Sequence, residues 1–434
     1  MFLERIVTQT RVDLEQRKQE QPLAEVQRLA AAQPAPRDLF GALQSESQVR
    51  LIAEVKRASP SKGMLAPHLD PVELARTYEK NGASAISVLT EPHFFLGSPA
   101  YLTAIKQAVN IPVLRKDFIV DEYQVYEARA WGADAILLIC AILDDNQLYH
   151  LLNIAHKQHM HCLVEVHSAE EARRAVVAGA KIIGVNSRNL VTFEMNPYLL
   201  RDLRQLVPAD RITVAESGIH TEADARRIAR SNVQAMLVGE SLVVSDDIPT
   251  QMHILLHGAN ASTQVKICGL RTPETFHAAI EAGADMIGLM FYQPSSRFID
   301  VQQAQELVKA VSEKQEYMPP DLVGVFVNEE ADYINEVVEL VGLHFVQLHG
   351  NESPEFCSHI SRPIIRSLQL RTSEDINKIE EYKQGTWRLL LDTPTSSWGG
   401  TGKTHDWNLA REAAQQAPIL LAGGLTPENV ATAI

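Results

Sequence analysis

The sequence is poor in everything that would place it outside the cell or inside a membrane. Its 434 residues hold four cysteines (Cys140, Cys162, Cys268 and Cys357), too few and too scattered for a disulfide framework or a zinc site. A reducing cytoplasm is therefore expected. Long apolar runs are missing too: no stretch reaches the ~18 residues of a membrane-spanning helix. The start, MFLERIVTQTRVDLEQRKQEQP, spreads charge through the place where a secretory signal has its apolar core. Positive charge is in deficit, with 40 Lys and Arg against 54 Asp and Glu, a formal net charge of -14. That balance argues against general nucleic-acid binding. An anionic ligand must then be held by local basic groups and backbone amides.

What the sequence does have is repetition. NGASAISVLTE (81–91), WGADAILLICA (131–141), AGAKIIGVNSRN (178–189) and EAGADMIGLMFY (281–292) each place a glycine at a helix end and a short apolar run just after it. Such a glycine is a left-handed helix cap, and the run is a buried strand. Strands entered from helices and apolar on both faces form parallel sheets from right-handed βα units. Eight strands are expected before residue 250, at 49–56, 85–90, 112–117, 135–141, 162–166, 182–187, 212–216 and 235–239. Eight βα units in about 200 residues fit a closed (β/α)₈ barrel. The competing doubly wound open sheet lacks its G-x-G-x-x-G after the first strand. The first 45 residues are expected to add one or two helices.

The pattern restarts at VKICGL (265–270), with strands near 286–291, 322–327, 345–348, 363–368, 388–392 and 418–422. That makes seven, and the chain stops at ATAI within the next helix. The expected fold is α/β, two tandem (β/α)₈ TIM barrels with the second truncated after its seventh strand. The expected division is 1–252, a linker at 253–263, and 264–434.

Barrel function gathers at the C-terminal ends of the strands. In the first half those ends offer Glu54 and Lys56 on one side of strand one, Lys116 after strand three and Glu165 after strand five. Strand six adds Asn186 and Arg188, and strand seven adds Glu216 and Ser217. Alone, the Glu54–Lys56 pair reads as well as a structural ion pair. Two lysines and three carboxylates around one mouth suit proton transfer in both directions. Gly239 and Ser241, in VGESL, open a helix whose free amides suit a phosphate.

In the second half the strand in VKICGL ends with Cys268 facing the mouth, and LLLDT places Asp392 across the barrel, a thiolate base and an acid. A lone buried Cys is more often a small hydrophobe. Arg297 has the planar fork for a carboxylate, His349 stands in FVQLHG, and Gly423 and Gly424 let a phosphate approach the backbone. The loop SSWGGTGKTHDW (396–407) is glycine-rich enough to fold over a ligand.

IAEVKRASPSKG, VLRKDFI, LVEVH, GVNSRNL, AESGI and the Gly-x-Ser-Leu ending, in this order over roughly residues 1–250, resemble the indole-3-glycerol phosphate synthase family. The resemblance implies decarboxylative ring closure of an anthranilate-bearing deoxyribulose phosphate, then loss of water. It makes Lys116 the general acid that polarises the ketone, with Glu165, Glu54 and Lys56 the acid–base set. It has Asn186 and Glu216 bond the sugar hydroxyls, Arg188 and Ser217 contact substrate, and Phe95 and Phe118 flank the aromatic ring. Ser59, Gly218, Gly239 and Ser241 would hold the phosphate. Ser187 departs from the family's second Asn at that position.

VKICGL, FYQPSSR, QLHG, LLLDT, GGTG and LAGGLTPENV, over residues 264–434, resemble the phosphoribosylanthranilate isomerase family. That implies an Amadori rearrangement with Cys268 as base, Asp392 as acid, Arg297 on the anthranilate carboxylate, His349 touching substrate, and Gly423 and Gly424 at the phosphate. His405 stands where an aromatic is expected. Together the two resemblances imply consecutive steps of tryptophan biosynthesis on small phosphorylated anthranilate–sugar substrates. No cofactor, metal, nucleic acid or membrane is implied, and a monomer in the cytoplasm is expected. The alternative is a tandem phosphate-binding barrel whose second half is inactive or only binds ligand.

Overall fold

The computed structural model describes residues 2–45, 47–190, 192–196, 198–261, 263–312, 319–383, 385–394 and 407–433. The Gly-rich loop up to Asp406, with His405, lies outside them. The chain divides into two compact units, with the boundary after Ala261.

In the first unit, β1 (Arg50–Val55), β2 (Ala85–Leu89), β3 (Val113–Lys116), β4 (Ala135–Ile139), β5 (His161–Val166), β6 (Ile182–Asn186), β7 (Ile212–Glu216) and β8 (Ala235–Val238) form a closed parallel barrel. β8 closes onto β1 through pairs from Arg50↔Ala235 to Ala53↔Val238. All eight expected strands are present, within one or two residues at each end. Their double-sided apolarity has two destinations. Ile52, Leu114, Leu137, Leu163, Val214 and Leu237 fill the barrel interior. Leu51, Val55, Val88, Leu138, Val164 and Val185 turn outward against the surrounding helices. Each such side chain contributes about 1.5–3 kcal/mol of burial. The helix-ending glycines Gly82, Gly132 and Gly179 have φ of 96°, 95° and 89°, the left-handed conformation that the repeated Gly-Ala pattern implied.

Three helices precede the barrel: α1 (Phe2–Glu20), α2 (Leu23–Ala31) and α3 (Leu39–Leu43). Leu39 and Leu43 of α3 are fully buried in the interior cluster. Asp38, the N-cap of α3, lies 3.6 Å from His161, the first residue of β5, so α3 stops the end where the strands begin. The start of α1 reaches the opposite end, where the Phe2 ring meets Phe94 and Phe193 at centroid distances of 5.4 and 5.2 Å.

One boundary differs from the sequence reading. Residues 253–260, read as linker, continue a helix from Ile248 to Asn260 whose Met252, Leu255 and Ala259 are buried. Its polar residues face solvent, and the apolar ones at helical spacing dock it on the first barrel's Glu222–Arg230 helix.

The second unit carries all seven expected strands: β9 (Lys266–Cys268), β10 (Met286–Met290), β11 (Asp321–Phe326), β12 (Phe345–Leu348), β13 (Ile364–Gln369), β14 (Arg388–Asp392) and β15 (Ile419–Leu421). They form one parallel sheet in chain order, open between β9 and β15 among the described residues. Ile267 in edge strand β9 is 38% exposed, whereas Ile287 beside it in β10 is fully buried.

Candidate active sites

The first barrel's strand ends enclose a cavity of about 160 Å³. Every first-half residue singled out by sequence lines it: Glu54, Lys56, Ser59, Phe95, Lys116, Phe118, Glu165, Asn186, Arg188, Glu216, Ser217, Gly218, Gly239 and Ser241. Lys116 is the centre of the charge arrangement. Its Nζ lies 3.2 Å from Glu216, 3.4 Å from Glu165 and 3.9 Å from Glu54. Lys56 Nζ pairs with the other oxygen of Glu54 at 3.0 Å. Asn186 Nδ2 donates to Glu165 Oε1 at 3.2 Å, and Asn186 Oδ1 accepts from Ser217 Oγ at 2.8 Å and from the Arg188 amide at 3.0 Å.

Three buried carboxylates around one ammonium cannot behave alike. Burial opposes the charge on Lys116, but Glu216, Glu165 and Glu54 outweigh it and hold the ammonium above its ordinary value. Burial also opposes the charge on Glu165, and here Lys116 and His167 outweigh it, keeping that carboxyl below its usual range. Glu54 moves the same way through Lys56 and Lys116, again against burial. Glu216 goes upward: burial dominates, Glu165 and Glu54 add to it, and Lys116 only partly compensates. The three carboxyls are thus pushed apart, Glu54 and Glu165 toward the ionised form and Glu216 toward the protonated one, the spread that proton transfer in both directions requires.

The remaining predicted residues have clear placements. Gly239 is the N-cap of the short helix Glu240–Val243. Ser241 donates its hydroxyl proton to the Ile219 carbonyl at 2.8 Å, so its hydroxyl secures the β7 loop to the β8 loop. Ser59 belongs to a two-stranded ribbon, Ala58–Ser59 with Gly63–Met64, on the loop after β1. The Phe95 and Phe118 rings sit 6.1 Å apart at 36°, two apolar walls of one cavity.

Sequence reasoning missed the groups that hold these residues. Glu91, almost fully buried, accepts backbone N–H bonds from His93, Phe94 and Phe95 at 2.7–2.9 Å, fixing the loop that carries Phe95. Arg115, next to Lys116 but on the outer face, is fully buried. It binds Asp117 at 3.0 Å and the Gln124 carbonyl at 2.8 Å, lies 3.6 Å from Glu127, and stacks 4.3 Å from the Trp131 ring. Glu127 in turn pairs with Arg17 of α1 at 2.7 Å. A charged residue on the outward face of a strand buried on both sides was the available signal. His167, within the quoted LVEVH, was also passed over, although strand alternation puts it on the side of Glu165.

In the second unit Cys268, Arg297, His349, Asp392, Gly423 and Gly424 line one open cavity. His349 Nε2 lies 3.3 Å from Asp392 Oδ2, and Gln347 Nε2 contacts His349 Nδ1 at 2.8 Å. The Arg297 guanidinium lies over β9's end, 3.5 Å from the Cys268 carbonyl. Gly423 and Gly424 both have positive φ, 81° and 63°. A Cβ on Gly423 would overlap Thr393 and Asp392, so glycine lets β15's end close on β14's.

Two family descriptions match the chain: indole-3-glycerol phosphate synthase over residues 3–255 and N-(5'phosphoribosyl)anthranilate (PRA) isomerase over residues 265–434. The chain is 36% identical over 423 residues to the tryptophan biosynthesis protein TrpCF of Vibrio cholerae, covering 97% of this chain and 86% of that one. It is 51% identical over 259 residues to an indole-3-glycerol phosphate synthase of Dehalococcoides mccartyi, covering 59% of this chain and all of that one. A multifunctional tryptophan biosynthesis protein of Schizosaccharomyces pombe is 40% identical over 429 residues, and the match covers 90% of this chain and 56% of that relative's length. Among the described residues no helix is long and apolar enough to cross a membrane.

Proposed function

Because the chain belongs to the indole-3-glycerol phosphate synthase family and shares the tandem layout of its TrpCF relatives, we propose that it performs two consecutive steps of tryptophan biosynthesis. The second mouth isomerises phosphoribosylanthranilate, and the first closes the indole ring on the product.

The observation that carries the first half is the Lys116 ammonium among Glu54, Glu165 and Glu216 in a cavity walled by Phe95 and Phe118. In ring closure the carboxyl-bearing aromatic carbon attacks the ketone of the deoxyribulose chain. A carbon–carbon bond forms, and the C=O electrons go to oxygen. Lys116, a preorganised cation in a nearly dry site, stabilises that oxygen as charge develops on it. Carbon dioxide then leaves and the ring electrons return. Loss of water removes the new hydroxyl together with a neighbouring C–H proton, which needs one protonated and one ionised group. Glu165, Glu54 and Lys56 are the set that supplies them. Arg188 faces the substrate carboxylate region, while Asn186, Ser217 and Glu216 hold the sugar hydroxyls. Ser59, Gly218, Gly239 and Ser241 frame the phosphate.

At the second mouth Asp392 protonates the ring oxygen as the ribosylamine opens, and Cys268 removes the C2 proton to give the enolamine that becomes the ketose. Arg297 holds the anthranilate carboxylate, His349 touches substrate, and Gly423 and Gly424 approach the phosphate. The enzyme works as a monomer in the cytoplasm. Separate assays of the two steps test the reading. Indole glycerol phosphate formation that disappears in Lys116→Ala with the fold retained supports it, and unchanged turnover overturns it.

A further inference from the structure

His167 follows β5 directly and precedes Ser168, the N-cap of the helix Ala169–Val177. Its side chain is 13% exposed and sits between two carboxylates. Nε2 lies 3.2 Å from Glu165 Oε1, and Nδ1 lies 3.5 Å from Glu171 Oε2. The same Glu171 oxygen accepts the His167 backbone N–H at 2.9 Å, which fixes the ring's second neighbour. Both ring nitrogens are shielded from solvent and neither closes a hydrogen bond, so the two contacts are ion pairs set by distance. A neutral imidazole has one N–H and one lone pair, so in this slot it would turn a lone pair onto a carboxylate. The imidazolium instead faces both carboxylates with positive charge, an ion pair on each side.

The location gives this clamp a role in the site. Glu165 and Glu216 are almost equally close to Lys116 Nζ, at 3.4 and 3.2 Å, and equally buried. Lys116 alone would not choose between them. Only Glu165 has a second cation against it, on the oxygen that also accepts from Asn186.

We propose that His167 is a positioning residue: as an imidazolium clamped between Glu165 and Glu171, it fixes Glu165 as the ionised member of the acid–base set and leaves Glu216, at the sugar hydroxyls, as the protonated carboxyl beside Lys116. The assignment rests on the synthase reading of the first barrel and divides the acid–base roles within it. Other groups around the clamp agree with it. Lys116 and Glu216 lie behind Glu165. Beyond Glu171, Cys140 from the turn after β4 faces its carbonyl, and Arg174 is engaged with Asp145 and the Cys140 and Leu143 carbonyls. Burial would lower the imidazole, yet the two facing carboxylates, Glu165 and Glu171, raise it to about 10.

The test uses the full chain labelled with ¹⁵N-histidine. One of its 15 histidines is expected to stay doubly protonated at about pH 8.5, where an ordinary imidazole is neutral, and its signal is expected to vanish in His167→Asn. If every histidine is neutral at that pH, the proposal is overturned, whatever the enzyme catalyses. In synthase assays His167→Asn, which keeps a donor but no charge, is expected to lower kcat about ten- to a hundredfold with KM within about twofold. Its acid limb should move to higher pH as Glu165 becomes easier to protonate. A fall in kcat with an unmoved limb overturns the charge assignment. A wild-type chain without synthase turnover would instead sink the family-based reading and leave the NMR result standing.

Discussion

Gly184 and Glu216, on neighbouring strands β6 and β7, are so close that a Cβ on Gly184 would overlap Glu216 Oε1. The missing side chain makes room for the carboxylate to lean toward Lys116. Gly184→Ala is therefore expected to destabilise the first barrel by about 1–3 kcal/mol, the range for overpacking. It should also displace Glu216 and reduce indole glycerol phosphate formation, leaving the isomerase untouched. Urea denaturation and the two assays check it; normal synthase turnover in a folded variant would contradict the crowding argument.

Lys116→Met removes the ammonium and leaves three buried carboxylates facing one another. Synthase kcat is expected to fall by about a thousandfold or more. Without Lys116 the folded-state values of Glu54, Glu165 and Glu216 all rise relative to wild type, so the folded variant binds more protons than the folded wild type does. Its stability relative to wild type then falls as pH rises through those values. The deficit against wild type, read from urea midpoints, should be larger at about pH 8 than at about pH 5.

Glu216 itself supplies a pH signature. Burial raises its carboxyl, so the folded chain keeps a proton that the unfolded chain has lost. The stability linked to that proton is full below the ordinary carboxylate value and is lost as pH rises through the raised one. Gln carries no proton to lose. The stability of Glu216→Gln relative to wild type is therefore expected to improve from about pH 5 to about pH 8 and to level off above that, and a flat difference between about pH 5 and about pH 8 would contradict it.

Arg115→Met is expected to cost about 3–5 kcal/mol, because it strands the buried Asp117 and Glu127. Thermal melting of the first barrel reads it directly. The double variant with Glu127→Gln should lose less than the sum of the two single changes.

For the second unit, Cys268→Ala and Asp392→Asn should each remove isomerisation without changing ring closure. Separate assays of the two steps check this, and isomerisation retained in either variant would contradict the role given to that residue.

β2, β4, β6 and β10 were legible because each is a short apolar run behind a glycine cap, and the other strands because their apolar runs recur at the same spacing. Site residues were legible because they stand at strand ends in quoted motifs. Legibility failed where side chains act across the structure. Glu91 gathers three amides of its own loop, and Arg115 joins a strand to a leading helix about a hundred residues earlier in the chain. Neither contact has a periodicity. The helix from Ile248 to Asn260 was passed over because its Gly, Asn and His residues masked Met252 and Leu255 at helical spacing.

Arg115 and Lys116 are consecutive residues pointing to opposite faces of β3, one clasped through Glu127 to α1 and the other set among the carboxylates. One peptide unit therefore connects the outer wrapping of the barrel to its reactive centre. Loosening α1, as in Arg17→Ala, is therefore expected to alter how firmly the Lys116 ammonium is held, without any change to a residue that lines the cavity.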